Sequence, residues 1–286
     1  MTDGIEASDE CASPTAAPPR DWDAAANALA RDGVVMLKGA LTADAFQKVE
    51  AAVAWSLANP SPTAVRFYPN EPATFFEDRG NHHAGLVREI GLDAMVSKLW
   101  GGAAPIWYLG EQLFLKEGGA SRRTPWHQDT SYLRMMGAQL VACWISLDAL
   151  PREHALEFVR GSHAGVLYNG SAFAAHDDTA PLYKHSKLPR LPDIQADREA
   201  FDIAAWDVEP GDVIVFHLGV LHGGAGTAPG LRRRTISMRF LGPDVVFDGR
   251  LRDERGAEEG NDKALAPIYA GLKHGDSFPT AHLTRF

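Results

Sequence analysis

The stretch Thr124-Pro-Trp-His-Gln-Asp129 sets an imidazole and a carboxylate two positions apart inside an otherwise aromatic and apolar run. In an extended strand, residues i and i+2 point to the same face, so this spacing predicts that His127 and Asp129 project together while Gln128 points away. A neutral imidazole beside a carboxylate supplies two ligands of the two-histidine, one-carboxylate facial triad of non-haem Fe(II), which leaves three coordination positions open. A third ligand has to come from elsewhere in the chain.

On both sides of this stretch, β-like runs recur at 106–109, 111–116, 140–147, 156–159, 213–217 and 234–240, with turn residues between them. Short strands so spaced predict an antiparallel sandwich or barrel. The chain has eleven histidines, but only some stand at the end of a β-run. His222 does: it follows Asp212-Val-Ile-Val-Phe-His-Leu-Gly-Val-Leu221 and opens His222-Gly-Gly-Ala-Gly226, where glycines let backbone approach a bound ion or co-substrate closely. His217 lies within that run and reads as a packed residue.

Eleven residues after His222 comes Arg233, inside Leu231-Arg-Arg-Arg-Thr-Ile-Ser-Met-Arg-Phe240. If Arg233 points inward, so do Thr235 and Ser237, while Ile236, Met238 and Phe240 face the opposite layer. An inward guanidinium beside an apolar layer is costly without an anion. A dicarboxylate co-substrate supplies one, held by a bidentate fork with help from the Thr235 hydroxyl. Arg232 and Arg234 alternate with Arg233 and read as surface charge. Lys116 shares a strand face with Gln112 and Phe114, where it either lines the pocket or stands as a solvated edge lysine.

Ahead of the β-runs the pattern is helical. Asp21 to Arg31 predicts a short helix, 33–37 a strand, and Thr42 the N-cap of a helix to about Leu57, with Ala45, Phe46, Val49, Ala52 and Val53 on one face. Residues 59 to 85 have no sustained period and read as a long ordered loop, with His82 and His83 as loop residues in a candidate lid. A helix is expected from about Gly85 to Trp100, ended by Gly101 and Gly102. The polar stretch 165–205 is expected to cover one end of the barrel, and His163 belongs to a turn.

Residues 1 to 20, rich in Ala, Pro, Ser and acids, predict a flexible tail, followed by one domain over 21–286: a helical part to about 105, a core over about 106–245 and an extension over 246–286. A net charge of -9 and a pI near 5.6 argue against a nucleic-acid partner. Two cysteines, Cys11 and Cys143, make a disulfide framework improbable. No apolar window is long enough to span a bilayer and the first twenty residues lack a secretory pattern, so a cytoplasmic protein with no membrane partner is expected. Oligomeric state is unreadable.

The ordered set His127-x-Asp129, His222 and Arg233 resembles the phytanoyl-CoA dioxygenase family of Fe(II)/2-oxoglutarate-dependent oxygenases. The local texture agrees at Gln112-Leu-Phe-Leu-Lys-Glu117, Trp144-Ile-Ser-Leu-Asp148, Leu156-Glu-Phe-Val159 and Gly161-Ser-His163, and the resemblance spans roughly residues 24 to 245. It implies a mainly β fold, a double-stranded β-helix or jelly roll, with flanking helices and iron at one open end. It further implies His127, Asp129 and His222 as the metal ligands, and 2-oxoglutarate chelating the iron with its distal carboxylate on Arg233. Gln128 and Trp144 would lie near the co-substrate.

With O2, the family decarboxylates 2-oxoglutarate to succinate and CO2 and oxidises an unactivated C–H bond of a small molecule. Related halogenases carry Ala or Gly where this chain keeps Asp129, which favours hydroxylation here. Ala155 and Arg160 stand where relatives often have Gly and Pro, and Gly224 where some place a serine hydroxyl on the co-substrate. Two readings from other classes stand beside this one: a cupin-type metalloenzyme that does not use 2-oxoglutarate, and a jelly-roll binding protein without turnover. The substrate is not legible in the sequence.

Overall fold

Asp21 accepts a hydrogen bond from the Ala24 amide and starts helix α1, Trp22–Asp32, which Gly33 ends in the left-handed region at φ 75°. Thr42 caps helix α2, Ala43–Ala58, through its hydroxyl and the Ala45 amide. Thr42 is the cap that the sequence predicts, whereas Asp21, expected as the first helical residue, is itself a cap. The computed structural model describes residues 20–62, 64–67, 74–102, 105–117, 119, 121–174, 176–183, 185–224, 226–251 and 269–286, so the expected tail lies outside the described residues except for Arg20.

A large antiparallel sheet runs in the order β1 (Val34–Leu37), β10 (Val213–His217), β7 (Leu140–Ser146), β12 (Arg233–Leu241), β4 (Trp107–Glu117), β3 (Thr74–Gly80) and β2 (Val65–Phe67). The carboxy-terminal β14, Thr284–Arg285, also pairs β4. A smaller antiparallel sheet has the order β5 (Thr124–His127), β11 (His222–Gly224), β8 (Leu156–Val159) and β9 (Ile203–Ala204), and β6 (Met135–Met136) pairs β13 (Val246–Phe247). Two facing sheets of this kind form the jelly roll, the double-stranded β-helix expected for the chain. Among the described residues no helix is long and apolar enough to cross a membrane.

Strand alternation gives the large sheet two buried faces. Val141, Cys143 and Ile145 of β7, with Ile236, Met238 and Phe240 of β12, pack against Val49 and Val53 of α2 and against Leu92 and Val96. Their neighbours Leu140, Ala142 and Trp144 turn inward to meet Phe158 and Phe216. Each fully buried Val, Leu, Ile, Phe or Met among them contributes about 1.5–3 kcal/mol. The helical layer therefore backs the strands whose inner face builds the site.

Three local expectations are corrected. The stretch 59 to 85 is not a loop throughout, because β3 pairs β4 residue for residue from Thr74↔Glu117 to Gly80↔Glu111. A strand carrying Glu77, Asp78 and Arg79 has no apolar alternation to betray it, and the pairing with β4 supplies what the local pattern lacks. The single helix expected to Trp100 is two, α3 (Ala84–Glu89) and α4 (Leu92–Leu99), broken at Gly91 with φ 75°. Finally, the runs 106–109 and 111–116 are one strand with a bulge: Arg239 pairs Gly110 while Phe240 pairs Tyr108. Gly110 has φ 139°, and a Cβ there would meet the Gly80 carbonyl oxygen at 2.6 Å, so only glycine fits.

Candidate metal centre

Strands β5 and β11 are neighbours in the small sheet, with His127 opposite His222. Their ring centroids lie 4.2 Å apart. The Nδ1 of His127 donates to the Pro125 carbonyl at 2.9 Å and that of His222 to the Val220 carbonyl at 3.0 Å, which leaves both Nε2 lone pairs free to ligate. Phe216 and Phe158 wall His222, at centroid separations of 4.7 and 6.0 Å.

Asp129 joins them by a route the strand argument did not contain. The strand stops at His127, and Asp129 is already αR at φ -60°, ψ -33°, standing at the N-cap of the short helix α5, Thr130–Leu133. Its side chain does not cap that helix but turns to the imidazoles, with Oδ1 3.4 Å from His127 Nε2 and 3.9 Å from His222 Nε2. The convergence is as expected and its cause is a strand-to-helix turn instead of a shared strand face. One donor atom from each residue lies within 4.8 Å of the others, and all three residues are buried.

The protonation states suit a cation. Burial pushes the His222 imidazole down to about 3, with the neighbouring His127 adding to the shift. Burial alone would raise the Asp129 carboxyl, but Arg239 and the two imidazoles outweigh it and hold it below the usual carboxylate range. Neutral histidine and ionised aspartate at neutral pH are the forms that ligate, so this donor set fits Fe(II).

Arg239 was missed by the sequence reading. It donates from Nε and Nη2 to Asp129 Oδ2 at 3.2 and 3.1 Å. The signal that would have found it is parity, since Arg233, Thr235, Ser237 and Arg239 share one face of β12 by alternation.

Arg233 is buried at 3% exposure, in register with Lys116 of β4, and its guanidinium lies 5.7 Å from the Trp144 ring centroid. Burial lowers its pKa to about 10. Lys116 is also buried: Nζ donates to the Arg122 carbonyl at 3.1 Å and stands 5.3 Å from the Phe75 ring. At 3% exposure it is not a solvated edge lysine, and burial, then Arg233, push its ammonium well below the ordinary lysine range. The Thr235 and Ser237 hydroxyls are buried without a hydrogen-bond partner among the described residues.

Gln128 is placed differently from the expectation. Its amide nitrogen donates to the carbonyls of Gly219 at 2.8 Å and Val166 at 3.1 Å, and its oxygen accepts from the Tyr168 amide at 2.9 Å. Committed in this way to backbone, it fastens the 165–205 stretch to the barrel and has both of its amide N–H groups already in use. That stretch does cover the metal end: Tyr132 donates to the Ser171 carbonyl at 2.6 Å, and the Phe173 ring sits 5.4 Å from the His127 ring. His83 bonds the Ser56 hydroxyl at 2.7 Å, His163 the Ala30 carbonyl at 3.2 Å and His217 the Gly137 carbonyl at 2.8 Å, all structural contacts.

Solved structures share this fold. The non-heme alpha ketoglutarate dependent carbocyclase SnoK from nogalamycin biosynthesis aligns at a TM-score of 0.66 and 18% identity over 96% of this chain and 99% of its own. The epimerase SnoN, solved with Fe3+, alpha ketoglutarate and nogalamycin RO, aligns at 0.61 and 18% over 92% and 98%. EctD from S. alaskensis, solved with 2-oxoglutarate and 5-hydroxyectoine, aligns at 0.56 and 20% over 88% and 86%. No curated protein matches the chain significantly by sequence. The family model described as phytanoyl-CoA dioxygenase (PhyH) matches residues 29–235, from the first helix to the inward-facing start of β12, and the chain belongs to that family.

Proposed function

We propose that the protein is an Fe(II)/2-oxoglutarate-dependent oxygenase that hydroxylates an unactivated C–H bond of a small-molecule metabolite. The observation that carries this reading is the donor set itself: two imidazoles with Nδ1 committed to backbone and Nε2 turned to an ionised, buried carboxylate. His127, Asp129 and His222 hold the iron. Bound iron with 2-oxoglutarate and O2 supplies the oxidising chemistry, with release of succinate and CO2.

The remaining residues bind and orient. Arg233 takes the distal carboxylate of 2-oxoglutarate, and the otherwise unsatisfied Thr235 hydroxyl donates to it. Lys116, beside Arg233 in register, adds a second cation to the same anion, and Trp144 walls the pocket. Phe173 and Tyr132 narrow the mouth over His127 and exclude water from it. Fe(II) and the buried Cys143 thiol suit a reducing cytoplasm. Hydroxylation is favoured by the retained carboxylate, and the structures that share the fold include a carbocyclase and an epimerase.

An anaerobic titration of the apoprotein with Fe(II) and then 2-oxoglutarate tests the reading. A weak visible charge-transfer band is expected, followed by succinate release in air with a suitable substrate. Iron binding without that band would favour a metalloenzyme that does not use 2-oxoglutarate, and neither band nor thermal stabilisation a binding jelly roll.

Two substitutions probe the binding groups. Lys116→Met removes the buried amine at nearly constant volume, so the fold should be kept while 2-oxoglutarate affinity falls by roughly tenfold, a loss of about 1.4 kcal/mol. Calorimetry of both proteins with and without co-substrate reads the two effects. A loss of stability with unchanged affinity would remove Lys116 from the pocket.

Phe173 is 40% exposed and, although not glycine, has φ 53°. Its half-exposed ring, on a strained backbone and beside a ligand histidine, favours Phe173 as a substrate contact. Phe173→Gly should leave iron and 2-oxoglutarate binding intact and raise KM for the substrate by roughly tenfold or more, for a lost aromatic contact worth about 1.5 kcal/mol. An unchanged KM places the substrate elsewhere.

A further inference from the structure

Asp129 divides its two oxygens. Oδ1 faces both ligand nitrogens, whereas Oδ2 receives two hydrogen bonds from Arg239. A carboxylate whose outer oxygen is occupied by a charge-assisted fork has one oxygen left for a cation.

Arg239 is itself held in place. Its Nη2 donates to Gln112 Oε1, the Gln112 amide donates to Glu77 Oε1 at 2.5 Å, and Glu77 Oε1 accepts from Arg79 Nε and Nη2 at 3.0 and 2.8 Å. The sheet makes room for it. The two cross-strand neighbours of Arg239 are Gly110 on β4 and Ala142 on β7, so no large side chain competes for the space beside the guanidinium. The β4 bulge falls between the pairs formed by Arg239 and Phe240, and bulges re-aim side chains in this way.

We propose that Arg239 is a positioning residue, whose fork on the outer oxygen of Asp129 makes that carboxylate a one-oxygen ligand and so keeps three adjacent iron positions open. The proposal rests on the iron reading above. Gln112 acts behind it by fixing the Arg239 rotamer, with Glu77 and Arg79 completing the row. The arginine sits on the same inward face of β12 as Arg233, so one strand orients both a metal ligand and the co-substrate's far end.

The test compares native protein with Arg239→Gln, Arg239→Lys, Gln112→Leu and Asp129→Ala, each confirmed as folded by circular dichroism, in anaerobic Fe(II) titrations followed by saturating 2-oxoglutarate. Arg239→Gln should bind Fe(II) 10- to 100-fold more weakly, the usual effect of losing a group that orients a ligand. At saturating iron its charge-transfer band should be weakened or shifted, because a carboxylate free to bind through both oxygens competes with the chelate. Arg239→Lys keeps the charge without the fork and should recover affinity in part but not the native band. Gln112→Leu should shift both readouts in the same direction by less.

A purely structural arginine would lower the melting temperature and leave band and affinity as in the native protein. Native iron affinity and an unchanged band in Arg239→Gln, with Asp129→Ala failing to bind, would overturn the positioning role alone. Tighter binding in Arg239→Gln would overturn it too, since repulsion of the cation would then outweigh orientation. Failure of the native protein to bind Fe(II) would remove the iron reading and this one with it.

Discussion

Asp129→Ala protein is expected to bind no Fe(II) at micromolar concentrations and to release no succinate. The variant loses the only carboxylate among the three converging donors, and two neutral imidazoles alone hold iron weakly. The apoprotein should also be weakened. Removing Asp129 leaves the Arg239 guanidinium, 14% exposed at its side chain, facing two imidazoles. Breaking one side of a buried pair of this kind costs about 3 kcal/mol, measurable by urea denaturation.

Acid separates the two proteins further. Asp129 is held below the usual carboxylate range in the fold, so its contribution is complete above about pH 4 and is lost as pH falls through its depressed value. The stability gap between native and Asp129→Ala apoproteins should therefore be constant from neutral pH down to that point and narrow in stronger acid. A variant that still couples 2-oxoglutarate decarboxylation to oxidation would take the carboxylate out of the centre.

Arg233→Met should still fold and should give a much poorer enzyme. The guanidinium is buried deeply enough to bring its pKa to about 10, and Met fills similar volume without a charge to desolvate. The loss falls on the co-substrate, whose carboxylate no longer meets a fork. Truncating one partner of a buried, hydrogen-bonded charge pair costs about 3 kcal/mol, so half-saturation by 2-oxoglutarate should rise by roughly 100-fold. Iron affinity should stay native, and the rise in melting temperature that 2-oxoglutarate gives the native iron-loaded protein should vanish. Unchanged half-saturation would mean that Arg233 serves only the fold.

Much of this centre could be read in advance because its parts obey local rules. Thr42 announces its helix by capping, β7 and β10 are apolar runs of strand length, and the inward turn of Arg233 follows from the apolar partners at 236, 238 and 240. What escaped depends on partners distant in sequence. Strand β3 exists because β4 pairs with it, and its own charged residues give no pattern. Asp129 converges on the histidines through a helix start that the tripeptide does not encode, and Gln128 is claimed by backbone at Gly219, Val166 and Tyr168. Arg239 had the right parity, but its partner is 110 residues away.

The two-faced character of β12 also governs how such a protein can change over evolutionary time. Its Arg233, Thr235, Ser237 and Arg239 row and its Ile236, Met238 and Phe240 row are interleaved, so a single inserted or deleted residue would exchange them, driving charge into the helical layer and greasy side chains onto the metal. Among its described residues the stretch from 165 to 205 is irregular apart from the short Arg198–Ala200 turn and Ile203–Ala204, so its hydrogen bonds to Gln128 and Tyr132 fasten it without imposing a strand register. Length and composition can drift there while β12 stays in frame. New substrates are thus open to this architecture by loop replacement, with the oxidising centre inherited intact.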